Sequence, residues 1–153
     1  MSSVDKPTRK LKGYVSNTAF GGHKVPAPLQ SLQLRDYAAR AQFIFTLPAG
    51  EYSFPGCYLQ LEMLISGLEK GEGLAMCSMF MLPKRKERRG ELIQRILDRG
   101  AELHLMLENI VIRTMNDADR IEQILYFHDL LKHCPRDIPR DLLPQLKVPD
   151  TFS

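Results

Sequence analysis

The stretch Leu74–Ala75–Met76–Cys77–Ser78–Met79–Phe80–Met81–Leu82, with Pro83 behind it, decides the fold. Every residue in it except Ser78 is apolar. A strand covered on both faces reads this way, and such strands belong to parallel sheets flanked by helices. Proline cannot donate to a strand ladder, so Pro83 marks the end. The apolar run from Gly73 to Pro83 is too short to cross a bilayer.

Upstream, Cys57 to Glu69 spaces Leu61, Leu64, Ile65 and Leu68 as one helical face. Pro48 to Pro55 predicts a turn, and Phe43 to Leu47 (FIFTL) a short buried strand. Before it, Leu29 to Gln42 predicts a helix with Leu29, Leu32, Ala38 and Ala41 inward and Tyr37 beside them. Asn17 to Pro28 is a long loop containing Gly21 and Gly22, and long loops often carry function. Leu11 to Ser16 predicts the first strand.

Downstream, the basic run Lys84 to Arg89 leads into a helix over Gly90 to Arg99, built on Leu92, Ile93, Ile96 and Leu97, with Gly100 ending it. Glu102 to Leu107 predicts a fourth strand and Ile110 to Arg113 an edge strand. Asn116 is the expected N-cap of a last helix running to His133, with Asp117 and Asp119 in its first turn. Ile121, Ile124, Leu125 and Leu131 are its expected inward residues.

The order β-α-β-α-β-α-β-(β)-α predicts an α/β fold in three layers, with a mainly parallel sheet of four to five strands and helices on both faces. Residues 1–10 are expected as a loose lead-in and 11–133 as a single α/β domain. Residues 134–153, with Pro135, Pro139, Pro144 and Pro149, are expected as a tail packed on the surface.

With 153 residues, 44% hydrophobic and 25% charged, the chain has an ordinary globular composition and needs no disulfide staples. Its net charge of +3 neither demands nor excludes a polyanionic partner. Cys57, Cys77 and Cys134 form no CxxC pair, and His23, His104, His128 and His133 form no HxxxH pattern, so neither a metal nor any other cofactor is expected. Met1 to Lys12 lacks the apolar core of a secretory signal. Free thiols and the absent signal together predict a cytoplasmic protein that enters no membrane.

In an open parallel sheet, ligands bind beyond the carboxyl ends of the strands, where strand order reverses. Those ends carry Ser16 and Asn17, then Glu51, Tyr52 and Ser53, then Ser78, Phe80, Lys84 and Arg85, and finally Glu108 and Asn109. The expected catalytic residues are Ser16, Glu51 and Glu108, because two carboxylates in differing environments divide acid and base roles. The others are expected to bind ligand, with Lys84 and Arg85 meeting phosphate. Neither a P-loop nor a GxGxxG fingerprint is present, and the basic run lacks interleaved aromatics, so no nucleic acid is expected.

Two family resemblances sit on these residues. Gly13 to Ser16, Gln30 to Ala39, Glu51 to Leu68, the strand ending at Pro83, Arg99 to Ala101 and Glu108 are similar in order to the catalytic domain of serine recombinases, the resolvases. That resemblance implies a shared fold, with Ser16 in the place of the nucleophile. The arginine that family carries just before its serine is here Tyr14 or Val15, and Phe80 to Pro83 replaces its arginine-bearing motif. No helix-turn-helix reader is expected, and strand scission is not.

The second resemblance rests on Lys12 to Ser16, Pro26, Gln30, Leu34 to Tyr37, Glu51 to Ser53, Ser78 to Pro83 and Leu107 to Asn109. As a set these resemble the sporadic carbohydrate cluster family, small bacterial proteins encoded among surface-polysaccharide genes. It implies a setting in bacterial glycan or sugar-precursor biosynthesis. The leading expectation is an accessory protein or small enzyme of surface-carbohydrate biosynthesis that binds a sugar phosphate or nucleotide sugar in the strand-end crevice. The alternative is a non-enzymatic interaction or regulatory module on a resolvase-like scaffold, as a homodimer packed through the last helix and the tail. A DNA recombinase relative ranks third.

Overall fold

The computed structural model describes residues 6–134. Of these, residues 6–122 form one compact unit and residues 123–134 belong to a second. The elements are β1 (Lys10–Val15), α1 (Ala27–Arg40), β2 (Ile44–Phe45), β3 (Ala49–Gly50), α2 (Leu59–Ser66), β4 (Gly73–Met76), α3 (Lys86–Asp98), β5 (Glu102–Leu105), β6 (Ile110–Ile112) and α4 (Met115–Lys132). The fold is mixed α/β, with a mostly parallel sheet of six strands in the order β2-β1-β4-β5-β6 and β3 also beside β1. Among the described strands only β6 runs antiparallel, on the far edge beside β5.

The chain leaves β1 through α1 to reach β2 and β3 on one side, then crosses through α2 to β4 on the other. Strand order therefore reverses between β1 and β4. The two strands approach closely because Gly73 faces Leu11; a Cβ there would lie 2.6 Å from the Leu11 side chain. Leu11, Leu74, Ala75, Met76, Leu103 and Leu105 form the fully buried centre. Burying each of these leucines and Met76 contributes roughly 1.5–3 kcal/mol.

Several elements depart from the sequence reading. The apolar stretch 74–82 pairs as a strand only to Met76, then closes into a 3₁₀ turn at Met79–Met81. Ser78 is the cause, since its Oγ accepts the Phe80 N–H at 3.2 Å. The expected strand 43–47 shrinks to two residues because it pairs only with β1 at an edge, and Ile44 is 42% exposed. The expected turn 48–55 instead supplies β3.

α1 buries Gln30, Leu34 and Ala38, while Leu29 and Leu32 face outward. Gln30 is drawn in by the backbone of Ser16. Its Nε2 donates to the Ser16 carbonyl at 2.6 Å, and its Oε1 accepts the Ser16 N–H at 3.2 Å. α3 begins at Lys86, not Gly90, because Arg89 folds back onto the Pro83 and Lys84 carbonyls and pairs with Glu122. α4 starts beside Thr114 rather than at an Asn116 cap: Asp117 Oδ2 accepts the N–H groups of Arg113 and Thr114. In α4, Ile121 is buried, but Ile124 and Leu131 are exposed. The expected tail lies outside the described residues from 135 onward.

Candidate functional site at the β1/β4 switch point

At the carboxyl ends of β1, β3 and β4, three loops enclose a hollow of about 330 Å³. Ser16 and Thr18 follow β1, Ser53 to Tyr58 follow β3, and Phe80 to Lys84 follow β4. Its volume falls at the lower end of the range of small-molecule sites. Hydroxyls come from Tyr14, Ser16, Thr18, Ser53 and Tyr58, and ring walls from Phe20, Phe54 and Phe80. Among the described residues that line it, Lys84 is the one cation, and there is no carboxylate or imidazole.

Local structure explains the walls. The Phe20 and His23 backbones pair across Gly21 and Gly22, both with positive φ. Gly21 also lies against the Phe80 ring, where a Cβ would stand 3.2 Å from Cδ2. Ser16 Oγ accepts the Thr18 N–H at 3.2 Å and shares a 2.7 Å bond with the Thr18 hydroxyl. Arg88 stacks its guanidinium over the Tyr58 ring, 4.9 Å from the centroid.

Glu51 is buried beside the hollow, not in its lining. Its carboxylate accepts the Tyr14 hydroxyl at 3.0 Å and the backbone N–H groups of Tyr52, Gln60 and Leu61. The Cys57 thiol donates to Oε1 at 3.5 Å. Burial works to raise the Glu51 pKa, but these donors outweigh it and hold the group below its ordinary value. Tyr14 is pushed far above its ordinary range, first by burial and then by the charge of Glu51.

Of the residues singled out by sequence, Ser16, Ser53, Phe80 and Lys84 come together around this hollow. Glu51 joins them through Tyr14. Ser78 and Glu108 pair with each other at 2.6 Å, and Glu108 also accepts the Met79 N–H. Asn17 and Tyr52 are exposed beyond the lining. Arg85 borders a groove with Glu62 and Arg95, and Asn109, at φ 53°, borders a separate depression with Tyr37 and Arg40. Sequence reasoning missed Tyr14, Phe20, Phe54, Cys57 and Tyr58. The aromatics flanking the Gly21–Gly22 and Pro55–Gly56 turns were the available signal.

Among the described residues, no three His, Cys, Asp or Glu side chains are grouped to hold a metal ion, and no helix is long and apolar enough to cross a membrane.

The fold is that of the serine recombinase catalytic domain. The N-terminal catalytic domain of TP901-1 integrase superposes with a TM-score of 0.58 at 12% identity, over 82% of this chain and 98% of that one. A resolvase family site-specific recombinase from Streptococcus pneumoniae gives 0.56 at 11% identity, over 83% and 96%. At such identity the likeness is one of architecture. No protein-family model matches the sequence, and no curated protein matches it.

Proposed function

We propose that this chain is a cytoplasmic binding protein for a phosphorylated sugar, either a sugar phosphate or a nucleotide sugar, serving bacterial surface-carbohydrate synthesis. The supporting observation is the chemistry of the hollow. Ring walls suit the apolar C–H faces of a sugar, the hydroxyls suit its polar edges, and Lys84 offers one charge to phosphate. The absence of a lining carboxylate or imidazole among the described residues favours binding over acid–base turnover. Glu51 then acts by holding Tyr14 and the start of α2, and Glu108 by holding the turn that carries Phe80. The surface-carbohydrate setting rests on the resemblance alone.

Strand scission fits poorly. Tyr14 or Val15 stands where the recombinase pattern carries arginine, and no arginine lines the hollow among the described residues. Isothermal titration with glucose 1-phosphate and UDP-glucose tests the reading. Binding at one site, lost in Lys84→Ala for the phosphate-bearing ligands, is the expected result. Salt-dependent DNA binding with a covalent Ser16 adduct would replace this reading with recombinase chemistry.

A second reading, a homodimeric interaction module, draws support from α4. Beyond Glu122 it exposes Tyr126, Phe127, Leu130 and Leu131, and clustered exposed apolar side chains of this kind are a common mark of an interaction surface. Sedimentation of the wild type against Phe127→Ser and Leu131→Ser tests it. A dimer that dissociates in the variants supports it; a wild-type monomer overturns it.

A further inference from the structure

We infer that Tyr14 is a specificity-determining residue of the hollow: its oxygen serves only as an acceptor, and so selects a ligand hydroxyl at the floor while the phosphate lies toward Lys84. The inference rests on the sugar-phosphate reading and deepens it.

A phenol has one hydrogen to give. Tyr14 gives it to Glu51 Oε2, across 3.0 Å. Glu51 has no other way to arrange this contact. Three backbone N–H groups and the Cys57 thiol also point at its two oxygens, and each of them is a donor. A carboxyl surrounded by donors stays ionised and accepts from Tyr14 rather than donating to it. The free lone pairs of the Tyr14 oxygen are therefore what it can offer the hollow that Tyr14 lines.

Tyr14 is 1% exposed, so any group meeting it is shielded from water. A sheltered acceptor beside an ionised carboxylate rejects phosphate and rewards a donor such as a sugar hydroxyl. Ser16 and Thr18 differ. Two hydroxyl hydrogens serve one mutual bond of 2.7 Å, leaving one hydrogen for a ligand acceptor. The lining thus carries an acceptor at Tyr14 and a donor at Ser16 or Thr18, and Lys84 supplies its one cation among the described residues. This pattern orients a sugar with its phosphate outward.

The test is titration calorimetry on the full chain with inorganic phosphate, glucose 1-phosphate, and its monodeoxy and monofluoro analogues. Fluorine cannot donate a hydrogen bond. At one ring position both the deoxy and fluoro analogues should bind about tenfold more weakly than glucose 1-phosphate, the size of one neutral hydrogen bond. Tyr14→Phe should weaken glucose 1-phosphate by a similar factor, abolish that discrimination, and leave inorganic phosphate unchanged. Inorganic phosphate binding also reports that the variant has folded. A wild type that binds glucose 1-phosphate without such a position, or one in which fluorine restores affinity, overturns the inference and leaves the binding reading standing. A wild type that binds neither glucose 1-phosphate nor inorganic phosphate overturns both.

Discussion

Ser78 Oγ donates a 2.6 Å hydrogen bond to Glu108 Oε1, tying the turn after β4 to the turn after β5. The other carboxylate oxygen accepts the Met79 N–H at 3.1 Å. Ser78 in turn accepts the Phe80 N–H, so the chain from Glu108 to Phe80 is one continuous run of bonds. The strand ends are thereby braced before any ligand arrives.

Replacing Glu108 with alanine leaves the Ser78 hydroxyl and the Met79 N–H without their acceptor. Ser78 is 3% exposed, so water does not readily take that place. The expected loss is about 2 kcal/mol, read from urea unfolding. Glu108→Gln keeps one carbonyl oxygen for Ser78 and should fall between wild type and alanine.

Glu51→Ala should cost more, roughly 3 kcal/mol, because it leaves the Tyr14 hydroxyl and the N–H groups of Gln60, Leu61 and Tyr52 unpaired at once. Its titration has a definite sign. The folded pKa lies below the ordinary 4.5, so its stabilisation is full above that value. It declines as pH falls from there through the folded value. Acid unfolding of wild type should thus begin near that pH, and Glu51→Gln should flatten the step.

Much of this architecture was legible because composition reports burial. Leu74 to Met76 reads as a covered strand and is one. Met79 and Met81 have the same apolar character and are also buried, yet lie in a turn, because burial alone does not separate a strand from a sheltered turn. Gln30 was not legible at all. A polar residue on an inward helix face makes sense only once the Ser16 backbone is known to sit beside it. Placing Ser16, Ser53, Phe80 and Lys84 at one crevice followed from the reversal of strand order. Phe20, Phe54 and Tyr58 did not, since loops fold over a site through contacts remote in sequence, here Gly21 against Phe80 and Glu51 against the start of α2.

His104 governs a second pH window. Its ring is buried in β5, with Nδ1 2.7 Å from the Tyr37 hydroxyl, and edge-on to the Tyr37 and Phe43 rings. Burial lowers its pKa from 6.5 to about 4, against the opposing pull of Glu102. The folded protein resists a proton that the unfolded chain accepts. Stability should therefore fall as pH drops from 6.5 toward about 4 and level off below it, by about 3 kcal/mol in all. Urea midpoints at pH 7.5, 5.5 and 4.5 measure this slope. His104→Gln should remove it between 7.5 and 5.5, where carboxylates do not titrate.

The three thiols should separate by reactivity, and their order tests the hollow without any variant. Cys134 is exposed, Cys57 partly buried and Cys77 buried. Burial, and after it the charge of Glu108, pushes the Cys77 thiol up to about 11, so almost no thiolate forms near neutral pH. Under iodoacetamide with peptide mass mapping, Cys134 should label first, Cys57 more slowly, and Cys77 only on unfolding. Cys57 also lines the hollow beside Tyr58, so a sugar phosphate bound there as proposed would cover it. Saturating glucose 1-phosphate should then slow Cys57 several-fold and leave Cys134 unchanged. Equal slowing of both would point to a general change in the chain, and labelling of Cys77 ahead of Cys57 would mean that the loop after β4 opens before the hollow does.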